Sequence, residues 1–149
     1  MLIETLIKLF NRDLNKLKEE INAYKAESNL WVIDKGVSNC GGNLCLHLVG
    51  NLNHFIGAEL DGTGYARKRD LEFSLKDVPR DELLRQIDET MTIVETTLTK
   101  LTPEDLQKEY RRRVLEDYMT TGYFLVHLTS HLAYHLGQIN YHRRLLDFK

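Results

Sequence analysis

The sequence predicts an all-α protein, a four-helix bundle in a single domain spanning residues 1–149. Three observations carry that expectation. Two long stretches, near the N-terminus and past the middle, keep an unbroken alternation of three- and four-residue steps between apolar positions. A third stretch near the C-terminus holds a leucine stripe of similar rhythm. The chain of 149 residues suits one domain able to bury about two thirds of its unfolded surface without staples.

The first helix is written by Ile3, Ile7, Phe10, Leu14, Leu17, Ile21 and Tyr24, and is expected to end near Glu27–Asn29. Leu30–Asn39 holds the only tryptophan and an Asp-Lys-Gly turn, which reads as a loop with an apolar anchor. The second helix is expected from Asn43 to about Leu60, with Leu44, Leu48, Leu52 and Phe55 inward and several cap-forming side chains at its entry. A long connection from Asp61 to Asp77 without helical period has the length of a functional or mobile loop, and its mixed charge reads as solvated surface rather than an anion site. Pro79, Asp81 and Glu82 open the third helix, whose seam is Leu84, Ile87, Met91, Val94, Leu98 and Leu101. Thr102-Pro103-Glu104-Asp105 resembles a capping arrangement for a short extra helix in a second long connection. Thr120 or Thr121 caps the fourth helix, and Arg143-Arg144 complement the dipole in its last turn.

Composition narrows the function classes. Apolar residues at 42% and charged residues at 28% are ordinary for a globular protein. A net charge of −2 argues against general nucleic-acid binding, and Arg111-Arg112-Arg113 point three ways on a helix, as a solvated run does. No apolar run approaches the roughly 18 residues of a membrane span, and the N-terminus breaks into charge too often for a secretory leader. Cys40 and Cys45, five apart, fit neither a metal knuckle nor a redox pair; as small buried thiols they point to the cytoplasm.

The chemistry lies in the histidines. His127, His131 and His135 stand four residues apart on the last helix, each about one turn above its predecessor. Neighbours are about 6 Å apart along the axis and can share one ion, whereas the outer two, about 12 Å apart, cannot. Leu125, Leu128, Leu132, Leu136 and Ile139 define the buried stripe. Around the axis His135 lies about 40° from its centre, His131 about 80° and His127 about 120°. His131 with His135 is therefore the metal pair, with His127 the solvated third. A catalytic site of the zinc type takes three protein ligands and keeps a position open. The third belongs on a facing helix, and the second helix offers His47 and His54, with Asn51 between them. No Glu-x-x-His pattern of the di-iron bundles is present.

NLCLHLVGN at Asn43–Asn51, RKRDLEF at Arg67–Phe73 and HLTSHLAYHLGQINYHRRLL at His127–Leu146 resemble the DinB/YfiT-like superfamily over nearly the whole chain. The resemblance implies an up-down-down-up four-helix bundle, often dimeric, holding nickel or zinc through three histidines. It selects His47 as the second-helix ligand beside His131 and His135, leaving His54 as an outer neighbour. It also implies chemistry on low-molecular-weight thiols, since relatives include bacillithiol transferases and a mycothiol-dependent isomerase.

The expected function is thus a metal-dependent transferase or isomerase using such a thiol on a small electrophile, with the Arg67–Phe73 loop as a gate. The alternative is a non-catalytic metal-binding bundle, a sensor or scaffold, in which a fourth protein ligand such as His54 would close the site.

Overall fold

A computed structural model describes residues 1–112, 114–115 and 118–148. Among these the chain is helical throughout, without strands; one isolated antiparallel bridge joins Glu109 and Thr120. The helices are α1 (Leu2–Ala23), α2 (Gly41–Leu52), α3 (Glu59–Asp61), α4 (Arg69–Ser74), α5 (Arg80–Thr99), α6 (Pro103–Gln107) and α7 (Thr121–Leu146). A 3-10 turn follows α1 at Glu27–Trp31, and a π-helical stretch, Asn53–Ala58, joins α2 to α3. No helix of the described residues is long and apolar enough to cross a membrane.

Each long helix buries its apolar stripe against two others: α1 lies against α5 and α7, and α2 against the same two. On α1 the buried line is Leu6, Phe10, Leu14, Leu17 and Ile21, with Ile3 and Ile7 only half-buried at its edge. The seam of α5 is rotated by about one residue from the expected one. Leu83, Ile87, Thr90, Val94, Thr97 and Leu98 are buried, while Leu84 and Met91 lie at the margin. The two threonines enter because their hydroxyls are satisfied: Thr90 donates to the Gln86 carbonyl (2.7 Å) and accepts from Asn53 (2.8 Å), and Thr97 reaches Asp61 (3.4 Å). Each fully buried leucine contributes about 1.5–3 kcal/mol, which makes these seams the main source of stability.

Three boundaries depart from the expected ones. α1 stops at Ala23, because the Asp147 carboxylate accepts from the Lys25 and Ala26 amides and from the Asn29 side chain, which turns the chain outward. α2 begins two residues early, at Gly41, and Cys40 at its N-cap makes no side-chain cap bond. The early start is a packing effect. A Cβ at Gly42 would meet the Trp31 indole, so only glycine lets the 3-10 turn close over this end. α3 ends the rod at Asp61, and the connection that follows is not wholly irregular, since α4 forms within it.

α2 is buried on every side, from Gly41 to Leu52. A helix with no solvent face needs a cover beyond α5 and α7, and α4 supplies it. α6 opens with the expected capping box between Thr102 and Asp105, and Thr120 caps α7 by accepting from the Tyr123 amide (3.0 Å). Arg111 and Arg112 are exposed, and both reach the Glu59 carboxylate, Arg112 at 2.8 Å; Arg113 lies outside the described residues.

Candidate metal centre

His47 projects from the middle of α2 towards α7, where His131 and His135 lie one turn apart. One nitrogen from each of the three rings falls within 4.8 Å of the others, and this group could hold a metal ion. Nε2 of His47 is 3.2 Å from Nε2 of His131. Four-coordinate geometry with metal–nitrogen bonds of 2.0–2.1 Å requires about 3.3 Å between ligand nitrogens, so the spacing fits one ion. The i,i+4 pair closes as its spacing demands, with ring centroids of His131 and His135 4.5 Å apart.

The ring of His47 is fixed from behind. Glu72 of α4, 6% exposed, accepts from Nδ1 of His47 at 3.0 Å, which leaves the lone pair on Nε2 facing the other imidazoles. Arg67 forks onto the same carboxylate, from Nε at 2.8 Å and Nη2 at 3.0 Å. Burial works to raise the Glu72 pKa, but the His47 and Arg67 hydrogen bonds and charges outweigh it, so the group is held below its usual range and stays ionised. Asn43, buried one turn before His47, holds α4 in place by donating to the carbonyls of Glu72 (2.9 Å) and Leu75 (2.8 Å). The approach also depends on Gly50, where a Cβ would fall on Oε2 of Glu72.

The other two rings have different surroundings. Nδ1 of His135 lies 2.6 Å from the Gln138 side-chain oxygen, an outer partner one turn on that leaves Nε2 free. Nδ1 of His131 is buried with no partner in the protein. Burial, followed by the charges of His135 and His47, pushes the His131 pKa down to about 4. Burial lowers His135 too. Both rings are therefore neutral at pH 7, the form that ligates.

A family model described as a protein of unknown function, DUF1572, matches residues 2–149. The chain belongs to the DUF1572 family. Among curated proteins none matches it.

In this DUF1572 chain the other candidate histidines stand apart from the three. His54 falls at the start of the π-helical stretch, about two turns beyond His47, and does not join the nitrogen cluster. Its ring packs on Phe55 at 4.7 Å, and the outer position beside His47 goes to Glu72. His127 is half-buried, stacked between Phe124 (5.9 Å) and His131 (6.5 Å). Cys40 and Cys45 are free and buried, and burial pushes the Cys45 thiol up to about 12, which keeps it protonated and unreactive.

Sequence reasoning placed the Arg67–Phe73 segment at the site only as a gate, and missed Glu72 and Arg67 as the buried support behind His47. The available signal was local: Asp70-Leu71-Glu72-Phe73 offers a helical turn that can bring one acid and one aromatic ring to a common partner. In the structure that partner is His47, whose ring also lies 4.9 Å from that of Phe73. α4 thus covers His47.

Proposed function

We propose that this chain is a DinB-like metal-dependent enzyme, a transferase or isomerase that uses a low-molecular-weight thiol on a small electrophile. His47, His131 and His135 hold its ion, zinc or nickel by the chemistry of three imidazoles. α1 and α2 each lie against both α5 and α7, which is in keeping with an up-down-down-up four-helix bundle, and the proposal includes a cytoplasmic homodimer.

The observation that carries this reading is the makeup of the nitrogen cluster. It holds three imidazoles, and among the described residues no fourth histidine, cysteine or carboxylate joins them. Three ligands with an open position characterise catalytic sites, whereas four protein ligands characterise structural ones. A bound divalent ion with an open position supplies the positive charge beside which a thiol gives up its proton and becomes nucleophilic.

The chain's own residues do the rest. Glu72 holds His47 in one tautomer and orientation, and Arg67 keeps Glu72 ionised while filling its remaining acceptor sites. α4 shields that side from water. The cluster lies between two cavities. His47 and His131 line one of about 230 Å³, and His135 lines another of about 470 Å³ together with Lys35, Ser38 and Gln138. Separate access from two sides suits a reaction that joins two molecules at one centre.

The test begins with element analysis of protein purified without an affinity tag, followed by loading with zinc or nickel. The fully loaded protein is then mixed with bacillithiol and monobromobimane, and thiol consumption is followed. Metal-dependent acceleration that disappears in His131→Ala is the expected result. A loaded protein that never exceeds the uncatalysed rate with any small thiol leaves the sensor or scaffold reading in its place.

A further inference from the structure

The outward face of α7 differs from those of the other long helices. α1 turns Glu4, Lys8, Arg12 and Lys16 to solvent, and α5 turns out Asp81, Arg85, Asp88 and Glu95. α7 carries no Lys, Arg, Asp or Glu from Thr121 to His142. Its outward positions there hold Tyr123, Tyr134 and Tyr141, exposed by 63%, 66% and 62%, and Val126, exposed by 43%. Ser130, Ala133 and Gly137 are exposed too and complete a line at three- and four-residue steps. Charge returns at the C-terminal end, where the Arg144 guanidinium lies 5.1 Å from the Tyr141 ring centre.

Gly137 adds a separate indication. It sits inside α7, where glycine is a poorer helix former than alanine. Gly42 and Gly50 make room for Trp31 and Glu72, but a Cβ at Gly137 would meet nothing within 4 Å. No neighbour within the chain requires glycine here, whereas a backbone approaching closely from outside does. Charge and area then select the occupant. The face lacks the Lys and Arg through which helices lie on lipid or on nucleic acid. Two-fold pairing sets a surface against itself, where like charges repel, and from Tyr123 to Tyr141 this face has none to oppose. Three tyrosines so exposed offer about 100–150 Å² each, and with Val126, Leu145, Phe148 and the small residues the face approaches the roughly 800 Å² per partner of a standard interface.

We propose that two copies of this chain pair through the outward face of α7, about a two-fold axis close to Gly137. This rests on the homodimer included in the proposed function, to which it gives a surface, and it is independent of the metal. Ser130, Ala133 and Gly137 let the two helices approach closely, and the tyrosines on either side of the crossing lose their exposure to water. Tyrosine suits that place, since its ring supplies apolar area while its hydroxyl reaches the wet rim.

Sedimentation equilibrium of the full chain, metal-free and zinc-loaded, reads its mass against the 17.4 kDa of one copy. Twice that mass at micromolar concentration, in both forms, is the expected result. Gly137→Leu and Tyr134→Arg should each weaken pairing about 100-fold or more while helical circular dichroism is kept, because both positions face open space in the single chain. Thr96→Arg, on the outward face of α5, should pair as the parent does. Should Gly137→Leu lose its helical spectrum, Tyr134→Arg decides. A dimer that persists in Tyr134→Arg overturns the proposed surface and leaves the homodimer itself standing. A parent that keeps the mass of one copy up to tenths of a millimolar overturns both. Loss of pairing in Thr96→Arg as great as in Tyr134→Arg places the contact elsewhere and also overturns the surface.

Discussion

α7 carries two kinds of histidine, and their surroundings separate structure from chemistry. Near its C-terminus His142 is buried and fully bonded: Nε2 donates to the Val32 carbonyl at 2.8 Å, and Nδ1 accepts from the Tyr24 hydroxyl at 2.6 Å. Its near neighbour Asp147 is as completely used, accepting from Lys25, Ala26 and Asn29. Two turns earlier His135 and His131 lie against His47, and Nδ1 of His131 has no partner. Polar groups that satisfy one another lock a fold, whereas those left with free lone pairs facing a common point are available to a ligand. The same residue type on one helix thus holds the end of the chain in one place and forms a reactive cluster in the other.

The sharpest way to break this contrast is to remove each kind in turn. Alanine at His47, His131 or His135 should empty the metal site, because each deletes a direct bond, while helical circular dichroism is retained. Chelated parent protein should likewise keep its helical spectrum and melt at a lower temperature, since the seams and not the ion make the fold. His127→Ala should change metal content little. Metal retained in His131→Ala but lost in His127→Ala would show that the wrong pair had been assigned.

Next in size is the support behind His47. Glu72→Gln should weaken metal affinity about 10–100-fold without abolishing it, as loss of an outer partner does. Gly50→Ala should act in the same direction by displacing the Glu72 carboxylate. His54→Ala should do less than either, because its ring contacts Phe55 and makes no bond to His47. Equal effects from His54→Ala and Glu72→Gln would remove Glu72 from its assigned role.

His142→Phe should show the opposite profile. Loss of its two bonds strands the Val32 carbonyl, at about 1–3 kcal/mol, and leaves the Tyr24 hydroxyl only its 3.5 Å contact with the Ile139 carbonyl, so the melting temperature should fall by about 4–12 °C. Metal affinity should stay as in the parent. Calorimetry paired with metal titration separates the two effects.

The smallest expected effect is graded in pH. His131 is held at about 4 in the fold against 6.5 for the free side chain, so between those values the unfolded chain takes up the proton first. Stability of the metal-free protein should therefore decline as pH falls from about 6.5 towards 4. Metal retention should decline over the same range, because the same protons compete for the imidazoles. His131→Gln should flatten the acid side of the metal-free profile; an unchanged profile would place the acid sensitivity elsewhere.

By itself the sequence determined the helices and much of the cluster. The seams of α1 and α7 are legible because burial follows a period of 3.6 residues, and His131 with His135 is legible because one turn of helix sets their separation. His47 is another matter: spacing left it level with His54, and the family resemblance singled it out. Tertiary structure decided what periodicity cannot express. It brought His47, and not His54, within reach of His131 and His135, since the choice depends on which turn of α2 faces which turn of α7. Glu72 became a buried partner because Asn43 and Gly50 let α4 lie on α2, a contact between segments about 25 residues apart. Such a contact depends on which surfaces meet: the local pattern at Asp70–Phe73 permits a helical turn but does not name its partner.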